Sequence, residues 1–425
     1  MGRLIQVFEH ERLTLHPDAW GRKLFQTELE KLYDFNDKNN NIYFTGIRDG
    51  IKFNSYVGVI QIGNLTLEIL PKADRIKDNT KEEYEQSSCK WRNVLLKMLA
   101  VCNHIRVDAV SEASLHRRYN SILELYFEIF IDEVEKLLRK GLIKQYRTNE
   151  GNVSALKGRL DFSRNIEKNL IHRERFFTHH QIYNHDHLIN QILGYALVIL
   201  NRITSNVNLK DRLARVNLDM PELSNVVIQK NHFSKIPDNR KTVMYREALK
   251  IARMIILNYS PDIKTGHENM LALMFDMDLL WEEYIYRMLL KSKPENFKIS
   301  YQNSRVFWKT NSFSKTIRPD LVIQFSNQDK EKNFIIDTKW KIIDYHNPGD
   351  DDLKQMYAYN MYWDAGRSML LYPGTSNFPE LWGIFPKGSD YENRCKIGFV
   401  NVLDEEAKGL NLNIGREILR KLEVV

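Results

Sequence analysis

At 425 residues and 50.4 kDa the chain is too long for one ordinary hydrophobic core, and two or three domains are expected. Its 43% hydrophobic and 28% charged residues are the mix of a folded rather than a disordered protein. No apolar run reaches the ~20 residues that span a bilayer, and the amino terminus has neither the apolar stretch nor the small-residue site of a signal peptide. Three widely separated cysteines (Cys89, Cys102, Cys395) exclude a disulfide framework and a CxxC-type zinc site, and fit a reducing cytoplasm. The net charge of +7, with a pI near 9.0, permits a nucleic-acid partner without demanding one.

Residues 1–110 read mainly as β. Two apolar runs, 57–62 and 65–70, flank Gly63-Asn64, a pair that tolerates positive φ, and Pro71 ends the pairing. The charged stretch 74–90 reads as an exposed loop, and a helix is expected over 91–102. Gly58 and Gly63 have the spacing of a phosphate-binding loop, but Asn64-Leu65 stand where Lys-Ser/Thr is required. The chain is therefore not expected to bind a nucleotide by itself.

Residues 111–265 read as a helical middle domain. Leu123, Phe127, Phe130, Val134 and Leu137 recur at three and four residues and form one apolar face, with Gly141 as a helix stop. Further helices are expected over 189–203 and 239–257. Between Lys157 and Arg175 there are six Lys/Arg against three Asp/Glu. Lys157, Arg159, Arg164, Arg173 and Arg175 are candidate DNA contacts there, the alternative being an ordinary solvated surface. His172, His179, His180, His185 and His187 lack the spacing and the cysteines of a zinc site. Pro261 and Gly266 mark the entrance to the third part.

Residues 266–425 carry the chemistry. A helix over 276–291 holds Glu282 and Glu283. Strands are expected over 297–308, 317–325 and 333–341, then a helix beginning at Asp350-Asp351-Asp352, whose carboxylates suit its amino-terminal dipole, then a strand over 368–372. The order is αβββαβ. If the polar turn 326–331 is centred between Gln328 and Asp329, opposed residues of the second and third strands sum to 657, and Asp320 faces Asp337. Two opposed carboxylates repel, and a magnesium or manganese ion between them would reverse the sign. Asp337 and Lys339 are two apart and share a strand face. Two aspartates, a cation and an ammonium group are the means to activate water for attack on phosphorus.

Pro319-Asp320…Asp337-Thr338-Lys339 is the Pro-Asp…(Asp/Glu)-x-Lys pattern of restriction-type nucleases. Gln355 and Tyr359, four apart on one helical face, resemble the Gln-xxx-Tyr element of their RecB-like branch. The chain as a whole resembles the McrC family, nuclease subunits of McrBC modification-dependent restriction systems. The resemblance rests on residues 57–72, on Leu156-Lys-Gly-Arg-Leu160, on His172-Arg-Glu-Arg-Phe176, on Asn190, on Leu280-Trp-Glu-Glu-Tyr284 and on the nuclease pattern itself. Trp281 stands where family members often have Phe.

The resemblance implies an α+β multidomain protein: a β-rich amino-terminal adaptor, a helical middle and a PD-(D/E)xK core. It implies Asp320, Asp337 and Lys339 as the catalytic set, with Glu282, Gln355 and Tyr359 completing it, and Asp320, Asp337 and Thr338 as the metal-binding positions. Glu283 is a rival to Glu282, and Gln355 with Tyr359 could instead serve packing alone. Further implications are Mg2+ with Mn2+ as a substitute, DNA as substrate, and a partner, a McrB-like AAA+ GTPase hexamer that McrC binds through its amino-terminal part and stimulates. The role is that of a modification-dependent endonuclease in antiphage defence. A non-cleaving activator of an AAA+ NTPase and a stand-alone repair nuclease are the other readings.

Overall fold

The computed structural model describes residues 3–74, 78–105, 121–260, 269–327, 330–343, 347–374, 381–386, 393–406 and 409–422. The entrance markers Pro261 and Gly266 and the turn residues Gln328 and Asp329 lie outside them. The protein mixes helices and sheets and divides into two compact units. One comprises Met1–Arg3, Ile60–Thr66 and Asn120–Leu273; the other comprises Leu4–Val59, Leu67–Tyr119 and Met274–Val425. No helix among the described residues is long and apolar enough to cross a membrane.

The unit containing residues 120–273 is not purely helical. The apolar periodicity does produce helices Ile122–Lys140 and Leu188–Ile203. Ser121 caps the first by accepting from Glu124 N at 3.3 Å, and Gly141 ends it at φ +84°, a conformation that costs a glycine little. The third expected helix is shorter, Arg246–Asn258, after a 3-10 turn at Val243–Tyr245. Arg212, on helix Val207–Asp219, reaches Asp132 at 2.6 Å and Glu135 at 2.9 Å on the first helix. Between the helices lies an antiparallel sheet of Gln145–Val153, Phe176–Asn184 and the short Arg159–Leu160. Gln145–Val153 is almost wholly polar and largely exposed, so it lacks the alternation that marks a half-buried strand. That is why the sequence reads as helical here.

In the other unit, helix Gln26–Lys38 accompanies a three-stranded sheet of Arg12–Thr14, Gly50–Phe53 and Phe44–Ile47. Tyr56–Ile62 pairs with Leu65–Leu70 through Gly63 at φ +53°, as the turn residues require. The stretch 74–90 is not all loop. Thr80 and Glu83 form a reciprocal capping box, and helix Lys81–Val101 starts there, ten residues before the apolar periodicity does. Capping chemistry overrides the charged composition that suggests a loop.

Residues 274–425 follow the αβββαβ order, with two refinements. Helix Met277–Ser292 is followed by strands Phe297–Tyr301, Leu321–Asn327 and Lys330–Thr338, helix Asp350–Tyr362 and strand Arg367–Pro373. Strands Arg394–Val400 and Leu381–Ile384 complete a six-stranded mixed sheet, antiparallel over its first three strands and parallel from Lys330–Thr338 to Arg394–Val400. The expected single strand over 297–308 is broken at Gln302, whose φ is +49°, and the chain leaves the sheet. Arg305–Lys309 then pairs with Ser314–Ile317 as a separate two-stranded ribbon. Met356 and Tyr359 of the crossover helix, with Trp363 just after it, pack with Val322, Ile335 and Leu370 of the sheet. Full burial of each such side chain stabilises by roughly 1.5–3 kcal/mol, which holds the helix against the strands that carry the carboxylates.

Candidate active site

The central hairpin has the register the sequence implies. Leu321 pairs with Ile336 and Gln324 with Asn333. Asp320 precedes Leu321 and Asp337 follows Ile336, so the two aspartates flank the last pair of this ladder. Asp320 then caps its neighbour: Oδ2 accepts from Thr338 N at 2.7 Å and from Thr338 Oγ1 at 3.0 Å. Lys339 N donates to Leu371 O at 2.9 Å and so continues the sheet pairing for one residue. Strand alternation returns the Lys339 side chain to Asp337, with Nζ 2.7 Å from Oδ2.

The crossover helix closes one side. Gln355 Oε1 accepts from Lys339 Nζ at 3.4 Å, and Gln355 Nε2 donates to the Tyr359 hydroxyl at 2.5 Å. Tyr359 OH donates to Arg318 O at 2.8 Å, which ties the helix to the residue before Pro319-Asp320. Gln355 and Tyr359 thus form a relay from the lysine to the chain entering the hairpin. They stand in the site and are part of its packing at once.

Two neighbouring glutamates compete for the remaining place. Glu282 is buried and accepts from Gln302 Nε2 at 3.0 Å. Glu283 is taken up by His104 at 3.1 Å and Arg287 at 3.0 Å. The charge of Glu282 raises the Asp320 carboxyl.

Burial, then repulsion from Asp337 and Glu282, pushes the Asp320 carboxyl up to about 8 despite its two bonds from Thr338. Burial also raises Asp337, against the pull of Lys339, and it raises Glu282. Burial disfavours the Lys339 ammonium, but Asp337 and Asp320 outweigh it and hold the lysine above its ordinary value. Three carboxyl groups in low dielectric therefore face one ammonium. Such a set is satisfied by protons or by a divalent cation. Among the described residues no three His, Cys, Asp or Glu side chains converge as a self-sufficient metal cage. What is present is a pair of hard carboxylate donors at a strand end beside the Thr338 main chain, a donor set that suits a cation keeping part of its water shell, as magnesium does.

Sequence reasoning overlooked three neighbours. Gln302 bonds Glu282, and its own N–H donates to Asp320 O at 2.8 Å, but a lone glutamine at a broken strand carries no signal. Asp352 reads as a helix-dipole residue, yet it reaches Lys339 at 3.9 Å and pairs with Lys341. Glu9 is buried and lies far away in sequence. The basic candidates belong to the other compact unit and are exposed: Arg164 pairs with Glu150 at 2.8 Å and Arg175 lies 3.8 Å from Glu174, while Lys157, Arg159 and Arg173 have no carboxylate partner among the described residues.

The fold that carries this arrangement, a mixed sheet crossed by one helix, has counterparts among solved structures. A chain of the refined half-complex from the tetradecameric assembly of Thermococcus gammatolerans McrB AAA+ hexamers with bound McrC superposes with a TM-score of 0.69 at 19% identity, over 99% of this chain and 100% of that one. A second match, from the cryo-EM structure of the Thermococcus gammatolerans McrBC complex, has a TM-score of 0.50 at 18% identity over 69% of this chain and 89% of that one. The Type IV methyl-directed restriction enzyme EcoKMcrBC of Escherichia coli (strain K12) is 22% identical over 278 residues, 64% of this chain and 75% of its own length. The model of the McrBC 5-methylcytosine restriction system component family matches residues 51–373, well over half of the chain, and the chain belongs to that family.

Proposed function

We propose that this chain is the metal-dependent DNA endonuclease subunit of a modification-dependent restriction system, with a PD-(D/E)xK core in residues 266–425, and that a McrB-like AAA+ GTPase recruits and activates it. The observation that carries this reading is the meeting of Asp320, Asp337 and Lys339 at one strand end. Asp320, Asp337 and the Thr338 carbonyl would hold magnesium or manganese, which when bound supplies charge neutralisation and a more acidic water. Lys339 orients the attacking water or stabilises charge on the phosphoryl oxygens. Gln355 holds the lysine over the strand end, and Tyr359 fixes Gln355. Glu282, kept protonated more readily than an exposed glutamate, shapes the field at Asp320 from the helix side. The amino-terminal residues 1–110 are proposed as the adaptor to the AAA+ ring. Support for a ring partner comes from the Thermococcus gammatolerans assembly, whose McrC is bound to McrB AAA+ hexamers.

The test is cleavage of modified DNA by the chain with its AAA+ partner, GTP and magnesium. Asp320→Asn, Asp337→Asn and Lys339→Ala should each reduce the rate at least ~100-fold, the scale of losing a transition-state contact, while far-UV circular dichroism stays unchanged. Cleavage at the wild-type rate by Asp337→Asn would falsify the assignment and favour a non-cleaving activator.

A further inference from the structure

The ribbon formed by Arg305–Lys309 and Ser314–Ile317 is not used by the chemistry above. Its segment, residues 302–318, contains Arg305, Lys309, Lys315 and Arg318 and no acidic residue. Most of it is exposed, including four large apolar side chains: Val306, Phe307, Trp308 and Phe313, the last 60% exposed. Among the described residues Lys309, Lys315 and Arg318 form no ion pair, although the charge of Arg318 acts on the Glu282 carboxyl. An exposed apolar patch framed by unpaired cations is costly to keep in water unless something covers it.

The ribbon is also held firmly. Thr310 Oγ1 accepts from Phe313 N at 3.1 Å in its turn, and the Trp308 and Phe313 rings meet at 5.8 Å near the tip. A bulge between Val306 and Trp308 sets the register of the two strands. At its base Arg305 donates to Tyr362 O and lies 4.9 Å over the Trp363 ring, and Tyr362 OH donates to Phe307 O at 2.9 Å. Those anchors are at the end of the helix that carries Gln355 and Tyr359. Between that helix and the ribbon runs an open groove of about 580 Å³, lined by Ser304, Thr316 and Arg318 on one wall and Gln355 and Tyr359 on the other. The groove runs from Gln355, whose Oε1 is 3.4 Å from Lys339 Nζ, to Arg318 at the base of the ribbon.

We infer that this ribbon is the duplex-DNA contact that flanks the scissile phosphate. Lys309, Lys315 and Arg318 face backbone phosphates, and Trp308 with Phe313 presses against base or sugar edges. The inference rests on the nuclease reading for its substrate class. Charge selects the occupant: four cations without one anion match a polyanion. Shape agrees, because the major groove of B-form DNA, about 12 Å wide, admits a two-stranded β-ribbon. Continuity with the carboxylate site places it on the path of the cleaved strand.

The test is DNA binding by the full-length Asp337→Asn chain in EDTA, titrated with a 30-base-pair duplex at several salt concentrations. Lys309→Gln/Lys315→Gln/Arg318→Gln should flatten the log–log salt dependence by ~0.9 for each lost contact, up to ~2.7 in all, equally for unrelated sequences. Lys309→Arg/Lys315→Arg should keep the slope, which separates lost charge from lost folding. Trp308→Ala/Phe313→Ala should weaken binding roughly fivefold or more and leave the slope unchanged. A triple variant with the wild-type slope overturns the inference. If it also changes the sedimentation mass of the chain, the ribbon is a contact between copies; if it abolishes stimulation of the partner GTPase, the ribbon is a partner contact. Cleavage by Asp337→Asn in a separate assay with magnesium, GTP and the partner would instead sink the site assignment while leaving the slopes measured in EDTA readable.

Discussion

Trp340, the residue directly after Lys339, donates its indole N–H to Glu9 Oε1 at 2.6 Å, across 331 positions of sequence. Its main-chain N–H donates to Asp278 Oδ1 at 3.2 Å. The residue that follows the lysine is therefore clamped by two carboxylates, one from the turn just after strand Arg3–Phe8 and one from helix Met277–Ser292. Glu9 Oε1 also accepts from Lys72 N at 3.0 Å, and the glutamate lines a cavity of about 290 Å³ with Lys72 and Trp340.

If this clamp positions Lys339, Glu9→Gln should cleave DNA nearly as well as wild type, since an amide oxygen still accepts from the indole. Glu9→Ala and Trp340→Phe should each lower kcat roughly tenfold with KM for DNA little changed, and the double variant should be no worse than either single one. Strictly additive losses would show that the two residues act apart. Stability carries a second signature. Burial raises Glu9 from 4.5 up to about 7, so the folded chain binds more protons than the unfolded one between those values, and stability falls as pH rises through that window. The full effect is on the order of 3 kcal/mol. Wild type should lose melting temperature from pH 5 to pH 8 more steeply than Glu9→Gln. Equal slopes would mean Glu9 keeps an ordinary carboxyl in the folded chain.

Divalent cations should stabilise the chain only through the carboxylate pair. Magnesium should raise the melting temperature of wild type and leave Asp320→Asn/Asp337→Asn unmoved. Because Asp320 is pushed up to about 8, protons compete, and the magnesium effect should shrink as pH falls from 8 to 6. Calcium should support binding of DNA but not its cleavage, because its looser coordination positions water poorly. Undiminished stabilisation of the double variant would place the cation elsewhere.

Partner stimulation should be separable from the carboxylate site. The Asp337→Asn chain should still stimulate the AAA+ GTPase to the wild-type level. Removal of the first ~110 residues should abolish stimulation, but those residues include Glu9 and belong largely to the same compact unit as 274–425, so the truncation needs a folding control. Point substitutions of exposed residues in helix Gln26–Lys38 make the cleaner comparison. Full stimulation by a folded truncated chain would move the adaptor into residues 120–273.

The basic stretch of the other unit offers an independent binding test. Lys157, Arg159 and Arg173 are exposed and without carboxylate partners among the described residues, whereas Arg164 is engaged by Glu150. Neutralising the first three should flatten the salt dependence of duplex binding by ~0.9 per contact. An unchanged slope would make this an ordinary solvated surface.

Several features were legible in the sequence because they depend on short-range periodicity. A hairpin with a short polar turn has few registers, and the 657 sum brought Asp320 to Asp337 without any knowledge of the rest of the chain. A side-chain period of two put Lys339 back beside Asp337. A period of 3.6 put Gln355 under Tyr359. The apolar faces of Ile122–Lys140 and Leu188–Ile203 followed from the same rule. Where strands are polar and exposed, as in Gln145–Val153, that rule is silent and the sheet went unseen.

What the sequence by itself determined, then, was everything set by neighbours within one turn or one hairpin: the αβββαβ order, the opposed aspartates and the lysine between them and the crossover helix. Tertiary structure alone gave Glu282 and Glu283 different partners, His104 and Arg287 for the second and Gln302 for the first. It alone turned Asp352 toward Lys339 and set Glu9 against Trp340. It alone lifted Arg305–Lys309 out of the sheet into a ribbon. The physical reason is the same in each case. Local backbone geometry fixes which way a side chain points, but burial and the charges brought up by distant segments fix what it meets there.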